Sequence, residues 1–336
     1  MRPIIHLSIA ALASFAFAQS ACAKASFTTF DPPNSLYTYP MSVTNGVIAG
    51  DYEDTSFTQH GFVRAADGTI TTFDPAGANG TYVLGINSDG VIVGYADDIN
   101  YLGHAFMRAT DGSIASIEPK GATASYAYAI DSKGEIAGYY QDAASAWHGF
   151  LRKPGGKTAT FDVPDSTFVS VYAMNDAGVV AGTYDDSGFI VHAYVRAADG
   201  TIEKFDPAGS VYTGAFGVDR NGDVAGYYAD SSFVAHGFLR AADGTITTFD
   251  APGAVNGTYV TAMNRSGRIV GYYIDGDYAA HGFERLSNGK MRSFDGPEST
   301  GTYGQNVDGS RIDHHGIVGF YDDSAGAAHG YLRAPE

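Results

Sequence analysis

The chain has almost no cysteine or tryptophan and few basic residues. Among 336 residues there is one cysteine, Cys22, and one tryptophan, Trp147. A single cysteine provides no disulfide within the chain, so an exported form must be held together by its core alone. Lysine and arginine number 20 against 37 acidic residues, which gives a net charge of −17. This balance argues against nucleic acid and anionic membranes as partners, because both attract clustered basic residues, and it leaves neutral polymers and cations.

Long apolar stretches are missing too, except near the start. Arg2 precedes an apolar run over residues 4–18, and Cys22 lies between two alanines. This pattern predicts a secretory signal peptide over residues 1–23 and a secreted or periplasmic protein. The run is shorter than the roughly 20 residues of a membrane span, and no later stretch approaches that length, so we predict no transmembrane segment. Lipid attachment at Cys22 is the less favoured alternative, because Gln19 stands where an aliphatic residue is usual.

Helical spacing of apolar residues is absent as well, whereas glycine and aromatic residues are abundant. The sequence has 43 Gly, 23 Tyr and 20 Phe, with short apolar runs between turn residues, which favours many short strands. A repeat is marked by histidines that precede Gly or Ala and then an aromatic residue, at spacings of 44, 44, 44, 44, 45 and 48 residues. They are His60, His104, His148, His192, His236, His281 and His329. A period of this size is typical of one four-stranded β-propeller blade.

The seven copies, repeats 1 to 7 in chain order, each contain four short strand patterns, A to D. In repeat 2 the predicted strands are residues 81–87, 91–95, 104–108 and 113–118. Asp111-Gly112 suits the tight turn between C and D. Apolar residues three apart in a D strand, such as Ile246 and Phe249, point to opposite faces, so both faces of the sheet are expected to be buried. The sequence therefore predicts an all-β, seven-bladed β-propeller in a single domain over residues 24–336, with an open β-solenoid as the structural alternative.

The two ends of the sequence fit a closed ring. The chain stops just after strand C of repeat 7, so this copy has no D strand of its own. Residues 26–31, Ser-Phe-Thr-Thr-Phe-Asp, match the D strand of repeat 5 at residues 245–250, Thr-Ile-Thr-Thr-Phe-Asp. We predict that residues 26–31 complete the last blade, which removes the exposed ends of the array. The closed ring is expected to be a monomer.

Short phrases in the repeats carry a family resemblance. His60-Gly61-Phe62, His104-Ala105-Phe106 and Gly85-Ile86-Asn87 resemble the HAF-type extracellular repeat of bacterial proteins, and the resemblance covers essentially residues 26–336. It implies an exported repeat protein. It implies no particular reaction.

One polar pattern is fixed in every repeat: Asp, then His six residues later, then Arg four residues after that. The residues are Asp54, His60, Arg64, Asp98, His104, Arg108, Asp142, His148, Arg152, Asp186, His192, Arg196, Asp230, His236, Arg240, Asp275, His281, Arg285, Asp323, His329 and Arg333. A carboxylate beside an imidazole can act as an acid–base pair. Catalysis needs one asymmetric site, however, so we predict a structural network in which Asp bonds His across the B–C loop and Arg bridges to the next blade. No metal or cofactor is predicted, because strand C should lie away from the axis.

The residues between the fixed Asp and His vary from repeat to repeat, as recognition loops on a rigid scaffold do. These loops contain aromatic side chains that can stack on a sugar or contact a partner: Phe57, Tyr101, Trp147, Phe189, Phe233 and Tyr278. Five of them follow the Asp by three residues, a regularity that favours packing over the blade edge. Trp147 departs from this spacing and is the best ligand-binding candidate of the group.

Repeat 7 departs most from the others. Its stretch from Asp295 to Asp313 is longer than its counterparts and contains Gln305 and Asn306, and His314 and His315 follow. These four residues are candidates for an asymmetric ligand-binding site. Adjacent histidines point to opposite sides of a strand and chelate poorly, so a metal is not predicted here. A relaxed constraint near the closing blade explains the irregularity equally well.

The predicted function is that of an exported, non-enzymatic binding protein. Its binding face carries the B–C and D–A loops, and its partner is a cell-surface protein or a polysaccharide. One alternative is a carbohydrate-active hydrolase or lyase with its site in the central channel or in repeat 7. That alternative requires non-repeated carboxylates to converge, and the candidates are Glu53, Asp165, Glu298 and Asp308. Another alternative is a purely structural component of a matrix.

Overall fold

The computed structural model describes residues 26–307 and 316–334, and every regular element in them is a β-strand. The predicted signal peptide lies outside these residues, as do Asp308, His314 and His315. Within the described ranges no helix is long and apolar enough to cross a membrane. The prediction of an all-β fold is confirmed.

In repeats 1 to 6 the strands follow one another in sets of four, one set to a repeat, and repeat 7 has three. The first strand, ahead of repeat 1, is β1 (Phe27–Phe30). Repeats 1 and 2 contain β2 (Ser35–Thr44), β3 (Val47–Asp54), β4 (Gln59–Arg64), β5 (Ile70–Phe73), β6 (Gly80–Ile86), β7 (Ile92–Asp97), β8 (Gly103–Arg108) and β9 (Ile114–Ser116). Repeats 3 and 4 contain β10 (Ala122–Ile130), β11 (Ile136–Asp142), β12 (Trp147–Arg152), β13 (Thr158–Phe161), β14 (Phe168–Met174), β15 (Val180–Asp185), β16 (Val191–Arg196) and β17 (Ile202–Phe205). Repeats 5 and 6 contain β18 (Tyr212–Val218), β19 (Val224–Ala229), β20 (Ala235–Arg240), β21 (Ile246–Phe249), β22 (Gly257–Met263), β23 (Ile269–Ile274), β24 (Ala280–Arg285) and β25 (Met291–Phe294). Repeat 7 contains β26 (Gly301–Val307), β27 (Ile317–Asp322) and β28 (Ala328–Arg333).

Strands within a repeat pair as antiparallel neighbours in chain order, so that four-stranded sheets are the structural unit, as predicted. β1 is antiparallel to β28, with Phe27 opposite Arg333 and Phe30 opposite Gly330. Single parallel bridges join repeats 6, 7 and 1 into one continuous sheet of 12 strands.

A glycine in the second strand of each repeat lets the sheet pack closely. A Cβ added at Gly226 of β19 would lie 1.9 Å from the carbonyl oxygen of Gly214 and 2.8 Å from the ring of Phe238. Phe238 itself is fully buried. The glycine therefore makes room for the large core side chain of the third strand, and no other residue fits there.

The core lies between neighbouring repeats rather than inside one. Ile246 of β21 packs against a cluster that includes Ala181 of repeat 4, whereas Phe249 packs against a cluster that includes Phe283 of repeat 6. The two faces of this D strand are thus both covered, as the spacing of its apolar residues predicts.

Candidate functional site

Each repeated histidine lies between two carboxylates, an arrangement that we call the carboxylate clamp. One ring nitrogen faces the fixed Asp of the B–C loop, and the other faces a carboxylate just after strand D. In repeat 6, His281 Nε2 lies 3.2 Å from Asp275 Oδ2, and its Nδ1 lies 2.7 Å from Asp295 Oδ1. The clamp therefore connects the B–C loop to the end of the fourth strand.

The second carboxylate of the clamp recurs in all seven repeats. The Nδ1 distance is 2.6–2.9 Å and the Nε2 distance to the loop Asp is 3.2–3.7 Å. The second carboxylates, in order of repeat, are Asp74, Glu118, Asp162, Asp206, Asp250, Asp295 and Asp31. In repeat 7 the partner of His329 is Asp31, which directly follows β1. Sequence reasoning missed this residue set, although a repeated Phe-Asp-Pro at the end of strand D, as at Phe73 to Pro75, was a signal for it.

The fixed Asp also shapes its own loop. Asp54 Oδ1 accepts hydrogen bonds from the backbone nitrogens of Ser56, at 2.8 Å, and Thr58, at 3.1 Å. Backbone hydrogen bonds from Thr58 and Ser56 hold the pKa of Asp54 below its usual value. One carboxylate thus fixes both the loop backbone and the histidine ring, and this is the geometry of loop support.

The fixed arginine contacts the neighbouring repeat through an aromatic ring. Arg240 Cζ lies 5.0 Å from the centroid of Phe205, which belongs to the D strand of repeat 4. The same contact joins Arg64 to Phe30, Arg108 to Phe73, Arg196 to Phe161, Arg285 to Phe249 and Arg333 to Phe294. Such cation–π contacts favour the charged guanidinium at a partly desolvated site. The arginine therefore bridges adjacent repeats.

In four repeats, those of His104, His148, His281 and His329, the clamp carboxylates raise the pKa of the imidazole. The hydrogen bond to Glu118 raises the pKa of His104. Burial acts to lower the pKa of His281, but hydrogen bonds to Asp295 and Asp275 outweigh it, so that the pKa is raised. In every repeat both ring nitrogens face carboxylates. The clamp is suited to holding a loop.

The regularly spaced loop aromatics project into solvent, and we call them the loop tips. They are Phe57, Tyr101, Phe189, Phe233 and Tyr278, with side chains 75–80% exposed and φ between 60° and 64°. The prediction that they pack over the blade edge is wrong. Each ends the turn in a left-handed conformation, which directs its ring away from the sheet. The equivalent positions in repeats 3 and 7 are Ser145 and Gly326, also at positive φ.

Trp147 has the opposite environment from the one predicted. It begins β12 and packs against Phe168, Tyr139 and Tyr126, with ring centroids 4.9, 5.8 and 6.1 Å away. The position next to the fixed histidine lies on the strand rather than at the tip of the turn. The two expected environments are thus exchanged: Trp147 is packed and the loop tips are exposed.

The first strand of every repeat contains a β-bulge, one extra residue relative to the partner strand. In β10, Ala127 pairs with Gly138 and Ala129 with Ala137, which leaves Tyr128 unpaired. The bulged residues, one from each repeat, are Met41, Leu84, Tyr128, Tyr172, Phe216, Thr261 and Gln305. All of them line one cavity of about 410 Å³. The seven repeats therefore surround a common space.

This cavity, which we call the aromatic well, has no charged side chain among the described residues that line it. Besides the bulged residues it is lined by Tyr227, Tyr259, Val260, Ala262, Tyr272 and Asn306. Gln305 and Asn306, both candidates from the sequence, are half-buried here. Among the described residues no hydrogen-bond partner is present for either side-chain amide. The bulge that turns Gln305 inward depends on strand register, which sequence reasoning did not reveal.

Tyrosine and phenylalanine rings form a nearly continuous aromatic belt around the well, with neighbouring centroids 4.6–6.4 Å apart. In order of contact they are Tyr37, Tyr39, Phe320, Tyr303, Tyr272, Tyr259, Tyr227, Phe216, Tyr172, Tyr128, Tyr139, Tyr126, Tyr95 and Tyr82. The two ends of the series lie in repeats 1 and 2. There the belt is interrupted by a carboxylic acid.

That acid is Asp51, a residue that sequence reasoning missed. It is 6% exposed, and its Oδ2 accepts a hydrogen bond of 2.8 Å from Gln59 Nε2. Burial raises the pKa of Asp51 to about 7. Its place in the sequence could have revealed it, because Asp51 directly follows Gly50 of the second strand. Five other repeats have a tyrosine or phenylalanine at this position. Asp51 is a neutral or readily neutralised acid at the break in the belt.

The other end of the central space is polar, and we call it the polar mouth. This cavity of about 460 Å³ is lined by residues that follow the bulges and by A–B turns. Arg265 of repeat 6 forms an ion pair with Asp176 of repeat 4, and Lys133 Nζ donates to the carbonyl oxygen of Asp176 at 2.6 Å. Asn175 Nδ2 donates to the carbonyl oxygen of Asp219 at 2.7 Å. Side chains therefore connect separate repeats across the polar mouth.

The non-repeated carboxylates occupy separate elements. Glu53 lies in β3, and Asp165 and Glu298 are left-handed residues in the D–A turns before β14 and β26. The Asp165 carboxylate is 94% exposed and lies 3.6 Å from Lys204 Nζ. Asp308 is outside the described residues. The structure brings no two of these three together.

Four-stranded sheets around a common space define a β-propeller, and solved structures of that class are similar to this one. The β-propeller domain of the trilobed protease from Pyrococcus furiosus, described as having an open velcro topology, aligns with a TM-score of 0.64 and 11% identity, over 89% of this chain and 96% of that one. A puromycin-hydrolyzing peptidase from Mycobacterium tuberculosis gives a TM-score of 0.59 and 11% identity, over 90% of this chain and 53% of that one. The lectin BP39L from Burkholderia pseudomallei gives 0.56 and 11%, over 89% and 96%. These similarities show the fold alone. The sequence matches no protein-family model and no curated protein.

Proposed function

We propose that the seven repeats form a closed, seven-bladed propeller in which β1 completes the blade of repeat 7. Support comes from the pairing of β1 with β28 and from the clamp between His329 and Asp31. The aromatic well, with at least one lining residue from every repeat, also favours a ring. In this arrangement the B–C and D–A loops share one face, and the A–B turns lie on the other.

We propose further that the protein is exported. The pattern of residues 1–23 and the resemblance to the HAF-type extracellular repeat support this location. Fractionation of cells, with N-terminal sequencing of the mature protein, tests it. Recovery of the uncleaved chain from the cytoplasm would contradict it.

We propose further that the face with the B–C and D–A loops has a binding function, carried by the five loop tips. A large side chain at positive φ costs on the order of 1 kcal/mol or more relative to glycine. Exposed rings recover none of that cost through packing, and the same choice occurs in five repeats. An arrangement that costs stability without a packing return fits a surface that stabilises a bound partner.

The partner that fits best is a neutral polysaccharide. Aromatic rings offer flat apolar faces for the C–H surface of a sugar ring, and a periodic set of rings suits a polymer with repeated units. The net charge of −17 disfavours acidic polymers. The fold does not choose among functions, because the similar structures include a lectin and peptidases.

The experiment is a pull-down with insoluble neutral polysaccharides such as cellulose, chitin, curdlan and starch. The test variant carries Phe57→Ser, Tyr101→Ser, Phe189→Ser, Phe233→Ser and Tyr278→Ser, since Ser145 already occupies this position in repeat 3. A matched control carries Val211→Ser and Val255→Ser, two exposed apolar residues of the D–A loops. We expect the tip variant to lose binding at least tenfold and the control to retain it. Equal retention by both variants, or capture of a protein with no polysaccharide bound, would contradict the proposal.

A further inference from the structure

We infer that the aromatic well is a second binding site, which takes one or two units of an uncharged saccharide. This inference rests on the proposed binding of neutral polysaccharide. It adds a specific subsite in the centre of the ring, away from the loop tips.

The first step is the shape and composition of the well. Its volume of about 410 Å³ falls within the range of small-molecule sites, roughly 300–1,000 Å³. Such sites are mainly apolar with a few placed polar groups. Here Tyr172, Phe216 and Tyr272 supply ring surface, and Thr261 and Gln305 supply polar atoms.

The second step is the state of those polar groups. The Thr261 hydroxyl donates to the carbonyl oxygen of Gly304 at 2.6 Å, so it has an acceptor lone pair left for a ligand. The amides of Gln305 and Asn306 carry both donors and acceptors, and within the described part of the chain neither amide is hydrogen-bonded. Both side chains are half-buried at the wall of the well, so their amide groups are available to hydrogen-bond a ligand that enters it.

The third step is charge. No arginine, lysine, aspartate or glutamate is among the described residues that line the well. A charged ligand would lose hydration there without gaining an ion pair. A flat apolar ligand would cover the rings but leave the amides of Gln305 and Asn306 unsatisfied. A pyranose ring presents C–H groups on its faces and hydroxyls on its edge, and it matches both features.

The fourth step is access. The lining residues Tyr259 and Val260 precede the bulge at Thr261, so the well lies toward the start of the first strands, next to the D–A loops. The polar mouth lies beyond the bulges, and the Arg265 to Asp176 ion pair crosses it. A saccharide therefore enters from the face that carries the loop tips. A polymer held by the tips can place a chain end in the well.

The test is calorimetric titration of the intact protein with uncharged hexasaccharides: cello-, malto-, laminari- and chito-oligosaccharides. Two variants alter the well, Gln305→Leu and Tyr172→Leu. Leucine is compatible with the bulge because Leu84 occupies the same position in repeat 2. We expect at least one hexasaccharide to bind, and each variant to weaken its binding tenfold or more at a temperature where thermal unfolding shows that the variant is folded. A hexagalacturonate of the same length, which is charged, is expected not to bind.

The five-serine tip variant separates this inference from the proposed function. If both are right, it loses the insoluble polymer but binds the hexasaccharide as tightly as the unmodified protein. If only the tips bind, Gln305→Leu and Tyr172→Leu leave hexasaccharide affinity unchanged, which overturns the inference. Failure of all four hexasaccharides to bind saturably overturns it as well.

Discussion

Each repeat contains residues that are nearly constant and residues that vary between repeats. Comparing the two sets distinguishes residues that stabilise the fold from residues suited to binding. The carboxylate clamp and the arginine bridge are the same in nearly every repeat, and they tie loops and neighbouring sheets together. The tip position and the bulged position are equally fixed, but their side chains are less constant: the tip is Phe or Tyr in five repeats and Ser145 or Gly326 in the other two, and the bulged residue differs in most repeats. Tyr128, Thr261 and Gln305, for example, share one position. Constant residues thus build the scaffold, and variable residues at constant places face solvent or the well.

The largest loss of stability is expected at the closely packed glycine of the second strand. Gly226→Ala would place a Cβ 1.9 Å from the carbonyl oxygen of Gly214, so strands β18 and β19 must separate. We expect the free energy of unfolding to fall by about 3 kcal/mol or more. Gly276→Ala is the control, because the nearest atom to its added Cβ, in Val255, is 3.8 Å away. Urea titration measures both. Similar stability of the two variants would contradict the close-packing account.

A smaller and pH-dependent effect is expected at Asp51, where one repeat departs from the aromatic belt. Burial raises its pKa from 3.8 to about 7, so the folded protein keeps a proton that the unfolded chain releases. Stability therefore falls as the pH rises from about 4 to 7. Because each pKa unit corresponds to about 1.4 kcal/mol, we expect Asp51→Asn to stabilise by about 1–3 kcal/mol at pH 8 and by much less at pH 4.

The control for this pH dependence is Asp277→Asn, at an exposed loop carboxylate. It is expected to leave the dependence unchanged. Urea titrations at the two pH values measure the difference. An Asp51→Asn effect of equal size at pH 4 and pH 8 would show that packing, not ionisation, sets the stability at this position.

The clamp itself is expected to contribute less per copy. His281→Ala removes the hydrogen bonds to Asp275 and Asp295 and should cost about 1–2 kcal/mol at pH 5.5. Because the folded-state pKa of His281 is raised, its contribution is complete below the unfolded value of about 6.5 and declines as the pH rises through the folded pKa. Denaturation at pH 5.5 and 8.5 measures this change. A cost that grows toward pH 8.5 would contradict the charged clamp.

The smallest effect on stability is expected at the loop tips. Phe189→Gly relieves the strain of positive φ but also frees the unfolded chain, so stability should change by no more than roughly 0.5 kcal/mol. The converse change, Ser145→Tyr, adds a sixth ring in repeat 3 and should be equally neutral. Thermal unfolding of both variants checks this. A loss above 2 kcal/mol for Phe189→Gly would mean that the tip packs against the fold.

Much of the fold could be predicted because the periodic signal is strong. Histidines 44 residues apart and Ile246 with Phe249 on opposite faces were sufficient for repeated four-stranded sheets with two buried faces. Asp31 after the first strand matched Asp250 after β21, which predicted where β1 belongs. These inferences depend on side-chain order along the chain, which the sequence contains directly.

The site was predicted less well, because it depends on backbone detail. The tips were expected to pack, since nothing in the sequence shows that Phe57 and its equivalents adopt positive φ. Trp147, two residues further from the fixed Asp, falls on the strand and is packed. Gln305 was selected for the irregularity of repeat 7, but the bulge that directs it into the well depends on the register of β26 and β27. Asp51 was not selected because the sequence contains many aspartates and does not show which of them is buried.

The constant residues stabilise the fold, and the loop tips bind the partner. The most direct test measures the five-serine tip variant twice, for its melting temperature and for its binding to insoluble neutral polysaccharide, beside His281→Ala at a temperature where both variants are folded. The account predicts that the tip variant melts like the unmodified protein but no longer binds, whereas His281→Ala melts lower and still binds. A tip variant that unfolds early, or one that binds unchanged, would contradict it.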